Sequence, residues 1–319
     1  MNINVASARW LGQPAVTIET EQVRLITVPG MGAKIVSIFD KRMGREWLLP
    51  PPNRPFRPAA YGAVFIEQDM SGWDEMYPTI DECLYPLAGE HAGKLLPDHG
   101  EVWAIPWTLV NGKADEIRLE VTGRALPYRL TRTISFIEAA KLRFAYTVEN
   151  LSDQDLIGFW TAHPQFVVDT ETRIVLSPEV TTVLNVVGDS HWGEIGKAYA
   201  WREPVPHAGD AIYLDRVSLP TRRDCRKIYL PPEQAISWAA LHNLSDGSLL
   251  RLSWDAAVVP YFGIWVDEGT YTPLSTAALE PSTGYYDSLT TALENKRVPT
   301  VPARGSLEWY LDVECGQAD

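Results

Sequence analysis

From Glu101 onward the chain alternates apolar and polar positions with a period of two. Ile117, Leu119 and Val121 interleave with Arg118, Glu120 and Thr122; Leu142, Phe144, Tyr146 and Val148 interleave with Arg143, Ala145, Thr147 and Glu149. Successive side chains of a strand point to opposite faces, so each segment buries one face and wets the other, as antiparallel strands do. Near the end Leu307, Trp309, Leu311 and Val313 form one face of a further strand. Earlier, Val23 to Val28 and Ala33 to Phe39 are joined by PGMG, whose Gly30 and Gly32 permit a tight hairpin. Ala235 to His242 and Ser248 to Trp254 flank an NLSDG turn in the same way.

Other stretches interrupt this pattern. LPPPNRPFRP, from Leu49 to Pro58, cannot continue a ladder and is expected as a surface loop. Tyr61 to Ile66 reads as a strand. Met70 to Pro86 is polar, aromatic and broken by Pro78 and Pro86, and is expected as a long structured loop; Val186 to Pro206 is expected as another. Helical periodicity is weak, and the one helix expected is short, near Tyr286 to Asn295. About twenty strand-like runs predict an all-β fold, a large antiparallel β-sandwich of two layers. All 319 residues are expected to form a single domain.

The net charge of −13 and the lack of a Lys/Arg stripe disfavour nucleic acid and anionic membranes as partners. MNINVASARWLGQP shows no basic segment followed by an apolar one, and no run is long enough to span a bilayer. Cys83, Cys225 and Cys315 are widely separated, which suits free thiols in a reducing compartment. The expectation is an unexported, cytoplasmic protein, monomeric or homodimeric. Its 12 Trp and 13 Tyr fill a core and leave rings to line a pocket.

Three polar residues stand out by context. His163 lies in the apolar run GFWTAHPQFVVD, and Pro164 holds its backbone extended. It is either a core imidazole bonded to a carbonyl or a group that hands a proton to a bound oxygen. His99, in LPDHGEVW, precedes Gly100, which permits close approach of backbone or ligand. Glu280 follows the apolar run TAAL and precedes Pro281; a carboxylate there must be paired or face a pocket. Within the expected loop, Trp73 offers a stacking face beside Asp74 and Glu75, a combination suited to a sugar, unless the loop only plugs one end of the sandwich with its own Trp. His91, His191, His207 and His242 sit in or beside polar turns and are expected on the surface.

With these residues in place, the chain resembles the galactose mutarotase-like superfamily, the aldose 1-epimerases and their relatives, from about Ala15 to Val313. The features are VPGMGAKIVSIFDKRMGREWLL, PDHGEVW, TAHPQF and ALEPSTGY, in the family's order and spacing. The resemblance implies a many-stranded β-sandwich, no cofactor and no metal, and interconversion of sugar anomers through ring opening. It implies His163 as general acid towards the ring oxygen, Glu280 as base towards the anomeric hydroxyl and His99 as a sugar-binding partner. Ring opening asks for an acid and a base on opposite sides of the ring, and ordinary pKa values near 4.3 for Glu and 6.5 for His suit those roles.

The chain departs from galactose-type enzymes in lacking an Asn-Arg pair before the first His and an HTYFNL-like run at the second, which leaves the sugar open. The family's sugar-contacting aspartate is Asp74 or Asp267. Trp265, in YFGIWVDEG, is either a stacking or a core residue. Few basic residues flank the motifs, which disfavours sugar phosphates. Competing readings are a carbohydrate-binding protein without turnover, a glycosidase or lyase on a similar sandwich, and an open iron site built from His99, Glu101 and His163.

Overall fold

The computed structural model describes residues 1–51, 56–110, 112–187, 192–207, 209–285 and 287–317. Part of the Pro-rich segment, Asn111, part of the Val186 to Pro206 stretch with His191, and Tyr286 lie outside the described residues, as does the side chain of His207. Strand accounts for 48% of the structure and helix for 6%, so the chain is all-β. Two antiparallel sheets dominate, one of thirteen strands and one of eight among the described residues. The middle of the larger sheet runs Lys34–Asp40, Trp73–Met76, Thr161–Pro164, Ser275–Ser282, Tyr261–Glu268, Asp224–Tyr229. The centre of the smaller sheet runs Ser248–Trp254, Ser306–Gln317, Lys141–Asn150, Tyr128–Glu138.

The alternating segments form the smaller sheet, with their apolar faces inward: Leu142, Phe144, Tyr146 and Val148 are buried in the strand Lys141–Asn150. The interior is rich in aromatic rings. Trp73 of the larger sheet meets the edge of Phe144 of the smaller at 5.4 Å, and Tyr146 stacks on Trp309 at 5.4 Å. Large offset and edge-on ring contacts of this kind contribute beyond their area alone.

Three expectations change. Met70 to Pro86 is not simply a loop, because Trp73–Met76 is an interior strand of the larger sheet, paired with Thr161–Pro164 and, through Ile35↔Trp73, with Lys34–Asp40. Its charge disguised it: Asp74 and Glu75 are both buried, each against a cation from another strand. Tyr61 to Ile66 is not a strand; a 3₁₀ turn, Phe65–Glu67, stands at its end. In the Val186 to Pro206 stretch, Ala198–Ala200 pairs with Thr182–Asn185 at the sheet edge. The expected helix forms as Leu289–Glu294, where the Ser288 side chain accepts the Thr291 N–H as its N-cap. No helix among the described residues is long and apolar enough to cross a membrane. All three cysteines are free.

Glu75 ties the layers together. Its Oε1 accepts from Arg132 Nη1 at 2.8 Å and from the Tyr146 hydroxyl at 2.8 Å, and its Oε2 accepts from Trp160 Nε1 at 2.6 Å. Arg132 comes from the smaller sheet and is fully buried. Removing one member of such a pair strands the other charge in the interior, at a cost of about 3–5 kcal/mol. Arg132→Leu should therefore lose about that much stability in urea unfolding. A loss under about 1 kcal/mol would show that the interface tolerates an unpaired Glu75.

Candidate functional site

Cross-strand register assigns side chains to faces. His163 lies opposite Asp74 and Thr161 opposite Ser282, Glu280 lies opposite Gly263, and Trp265 lies between Ala278 and Lys227. Residues directly across a ladder share a face, as do residues two apart in a strand. Asp74, His163, Glu280, Trp265 and Lys227 therefore share the face of the larger sheet turned away from the smaller one. Trp73, Glu75, Ala162 and Leu279 point inward. A Cβ at Gly263 would come within 2.2 Å of the Tyr229 ring, so its absence lets Tyr229 lie across the sheet beside Glu280's row.

The segment carrying His99 and the turn at Phe65 cover this face. Phe65 stacks on His99 at 4.2 Å and presents an edge to His163 at 5.0 Å, and the two imidazoles lie 5.2 Å apart. Asp98 holds the cover: its carboxylate accepts the Phe65 N–H at 2.8 Å and lies 2.7 Å from His99 Nδ1. His99 itself takes a left-handed conformation with φ of 59°. The glycine after it is required by backbone, since a Cβ at Gly100 would lie 2.3 Å from the Tyr77 carbonyl oxygen. Below the cover is a pocket of about 140 Å³ lined by Phe65, Ile66, Met70, His99, His163, Lys227, Trp265, Tyr271 and Glu280.

The charges here are incompletely satisfied. Glu280 Oε1 lies 3.6 Å from His163 Nε2, and Glu280 Oε2 lies 3.9 Å from Lys227 Nζ; among the described residues the buried Oε2 has no hydrogen-bond partner, nor has His163 Nδ1. Burial pushes the Glu280 carboxyl up to about 7, with Lys227 opposing and Asp287 reinforcing the shift. Burial also presses His163 well below its ordinary value, helped by the charges of His99, Lys227 and Lys34. For Lys227 burial acts to lower the value, but Asp287, at 2.9 Å, and Glu280 outweigh it and keep the ammonium charged. The Tyr229 hydroxyl also donates to Asp287. Asp74 is lifted by burial to about 6 despite Lys34 at 2.5 Å, and its Oδ1 has no partner.

His163, Glu280, His99 and Trp265 thus meet in one pocket, with Asp74 across the ladder from His163. His163 and Glu280 stand side by side, so the expected placement on opposite sides of a bound ring is replaced by one shared wall. Trp73 is fully buried in the core and has no free face for a ligand. Glu75, two positions on, is held by its three donors. Asp267, near the end of the strand Tyr261–Glu268, is taken up by the turn that follows, accepting the N–H groups of Thr270, Tyr271 and Thr272 and the Thr272 hydroxyl. It is not available as the sugar-contacting aspartate.

Glu101 is committed to the Tyr61 and Tyr128 hydroxyls and the N–H groups of Arg124 and Ala125, which removes the carboxylate from the iron-site reading. His91 is buried, not superficial, with Nδ1 3.0 Å from Lys94 Nζ, and His242 is half-buried. Lys227 is the basic residue that sequence reasoning missed, along with Tyr271, Phe65 and Met70. In DCRKIY a lysine between Arg226 and Ile228 reads as the wet face of an ordinary strand, and only the register against Trp265 places it in the pocket.

No family model matches the chain, and no curated protein sequence matches it. Solved structures do match. A protein from Synechocystis superposes with a TM-score of 0.72 at 14% identity over 100% of both chains. A galactose mutarotase-like protein from Clostridium acetobutylicum gives 0.70 at 15% identity over 99% of both chains. Another from Lactobacillus casei gives 0.67 at 17% over 95% of this chain and 100% of that one. At these identities the likeness is one of fold.

The Glu280 shift makes a stability prediction independent of function. An unfolded value near 4.5 and a folded value of about 7 mean that the folded state holds the proton more tightly. That contribution is complete below about 4.5 and lost as pH rises through about 7, a change of roughly 3 kcal/mol. Gln cannot ionise. Relative to the wild type, Glu280→Gln should gain stability in urea unfolding as pH rises from about 5 to about 8, by up to roughly 3 kcal/mol. A difference between the two proteins that does not change with pH would mean that Glu280 titrates normally.

Proposed function

From the galactose mutarotase-like fold of this chain, we propose that it is an aldose 1-epimerase-like enzyme interconverting the α and β anomers of a free sugar by acid–base ring opening. The observation that carries this reading is the Glu280 carboxylate, buried beside His163 with an oxygen that no protein group satisfies. Buried polar groups are almost always hydrogen-bonded, and an orphan aimed at a pocket calls for a ligand donor. The anomeric hydroxyl is such a donor.

In this reading Glu280 removes the proton of the C1 hydroxyl while His163 delivers one to the ring oxygen. The bond from C1 to the ring oxygen breaks and C1 becomes an aldehyde. Rotation about the adjoining carbon–carbon bond presents the other aldehyde face, and closure runs the transfers in reverse, restoring both groups. The hydroxyl oxygen and the ring oxygen are both attached to C1, so two groups 3.6 Å apart on one wall can serve both. His99, oriented by Asp98 and lying flat on Phe65, offers its remaining ring nitrogen to a further hydroxyl. Trp265 and Tyr271 supply apolar faces, and Lys227 stabilises the ionised form of Glu280. No cofactor takes part in this route.

Acid and base together need one proton between them. In the free site Glu280 rather than His163 is the group that holds it, with the carboxyl about half protonated near pH 7, and its transfer to His163 generates the carboxylate and imidazolium that the reaction uses. The depression of His163 favours a second reading, a sugar-binding protein with the same lining and no turnover, because an imidazole so easily deprotonated is a weak store of protons.

Exchange NMR across a panel of free aldoses separates the two. Glu280→Gln keeps shape and hydrogen-bonding capacity but removes the base, and should slow exchange by about 10² or more with sugar affinity little changed. His163→Asn should act similarly, and the double variant should be only slightly worse than either. No exchange on any aldose, or exchange untouched by Glu280→Gln, sinks the enzymatic reading. The pH dependence has a definite sign. Since the pair loses its single proton above about 7, kcat/KM should fall as pH rises through that value. A profile that keeps rising beyond about 8 would show that ionised Glu280 alone suffices.

A further inference from the structure

A second cavity, of about 450 Å³, opens on the other face of the larger sheet and has no part in the proposed reaction. Four guanidiniums line it, those of Arg173, Arg216, Arg222 and Arg226, together with Glu268. Strand parity sets it apart from the first site: Glu268 and Arg226 alternate with Asp267 and Lys227, so they project to the opposite side. In a chain of net charge −13 this wall reverses the local sign.

The cavity has a built base. Arg226 is buried and gives Nη1 to Glu268 Oε1 at 3.0 Å and Nη2 to the Arg216 carbonyl at 2.5 Å, while the Ser218 N–H donates to the same Glu268 oxygen at 2.7 Å. Among the described residues two atoms of this buried pair nevertheless have no hydrogen bond: Arg226 Nε and Glu268 Oε2. Closer to solvent, Arg222 Nε lies 3.7 Å from Glu268 Oε2 and 3.6 Å from Asp224 Oδ2. Arg216 lies over the Tyr213 ring at 3.9 Å, with its Nε 3.9 Å from Asp215. These separations balance charge without making hydrogen bonds, so the planar donor forks of Arg216 and Arg222 remain open.

We propose that this cavity is a second ligand site, which takes a small hydroxylated anion with its acidic group on the Arg216 and Arg222 forks and a hydroxyl donated to Glu268 Oε2. Guanidinium forks match carboxylate and phosphate groups in geometry and charge. A bare inorganic anion would satisfy the forks but leave Glu268 Oε2 facing another negative charge; a neighbouring hydroxyl supplies the missing donor. Phosphate esters and sugar acids share this chemistry, and the cavity is larger than the one at Glu280.

Isothermal titration of the whole protein tests the assignment with four probes that lack an anomeric carbon: gluconate, glycerol phosphate, glycerol and inorganic sulfate, which has no O–H to donate. Gluconate, glycerol phosphate or both should bind saturably, and glycerol and inorganic sulfate at least about tenfold more weakly. Arg216→Gln and Arg222→Gln should each weaken that binding about tenfold or more. Both side chains are partly exposed, and thermal unfolding of the two variants verifies that they fold. Glu280→Gln should leave the affinity unchanged, which separates this site from the proposed catalytic one. Which of the two organic anions binds better identifies the acidic group. Absence of saturable binding, inorganic sulfate matching the organic anions as an adventitious ion only, or insensitivity to both arginine variants would overturn the proposal.

Discussion

Hydrogen-bond donors around buried carboxylates divide this molecule into scaffold and site. Glu75, Glu101, Asp267 and Glu280 are all nearly inaccessible to water. The first is met by an arginine, a tyrosine and a tryptophan, the second by two tyrosine hydroxyls and two backbone N–H groups, and the third by a turn that closes on it. Among the described residues Glu280 has only a distant imidazole and a distant ammonium. An unpaired buried carboxylate is among the more expensive features a fold can hold, and it persists only where surrounding structure fixes it. Here that structure is the strand Ser275–Ser282, buried along its whole length and paired on both sides.

Glu280's environment depends in turn on Trp73–Met76. Its four residues serve both faces at once, Trp73 and Glu75 locking the two sheets together while Asp74 faces His163. Replacing Glu75's partners would disturb the sheet that aligns His163 with Glu280, so the same strand bears on stability and on geometry. Placing a site on paired strands holds its groups more rigidly than loops would. The cover over it, Phe65, Asp98 and His99, comes from turns and 3₁₀ segments, which are free to take the left-handed conformation that His99 needs.

Much of this was legible in the chain, and the failures share one cause. The smaller sheet follows directly from alternation, because its strands wet one face; the motifs around His99, His163 and Glu280 identified three groups that do converge. Alternation fails where both faces are buried, as in Trp73–Met76, whose acids imitate a loop. It also gives no register. The segment WDE looked like one sugar-binding platform, yet a period of two sends its first and third residues into the core and only Asp74 to the site. The same absence of register concealed Lys227, whose role depends on lying opposite Trp265 in a neighbouring strand.

Burial at the site does more than exclude water. The same low-polarity surroundings that lift Glu280 to about 7 press His163 down, so the two values move through each other relative to the free amino acids. An ordinary Glu and His at neutral pH would already be a carboxylate beside a partly charged imidazole. This pair, when it holds its one proton, is instead uncharged, with that proton on the acid whose conjugate base the proposed reaction needs, and a ligand in the pocket would bring polar atoms that favour separating the charge. Lys227 biases that step, since its ammonium favours the carboxylate and opposes the imidazolium. The site is thus poised between two placements of one proton, and in the proposed function the hydroxyls of a sugar entering the pocket would choose between them.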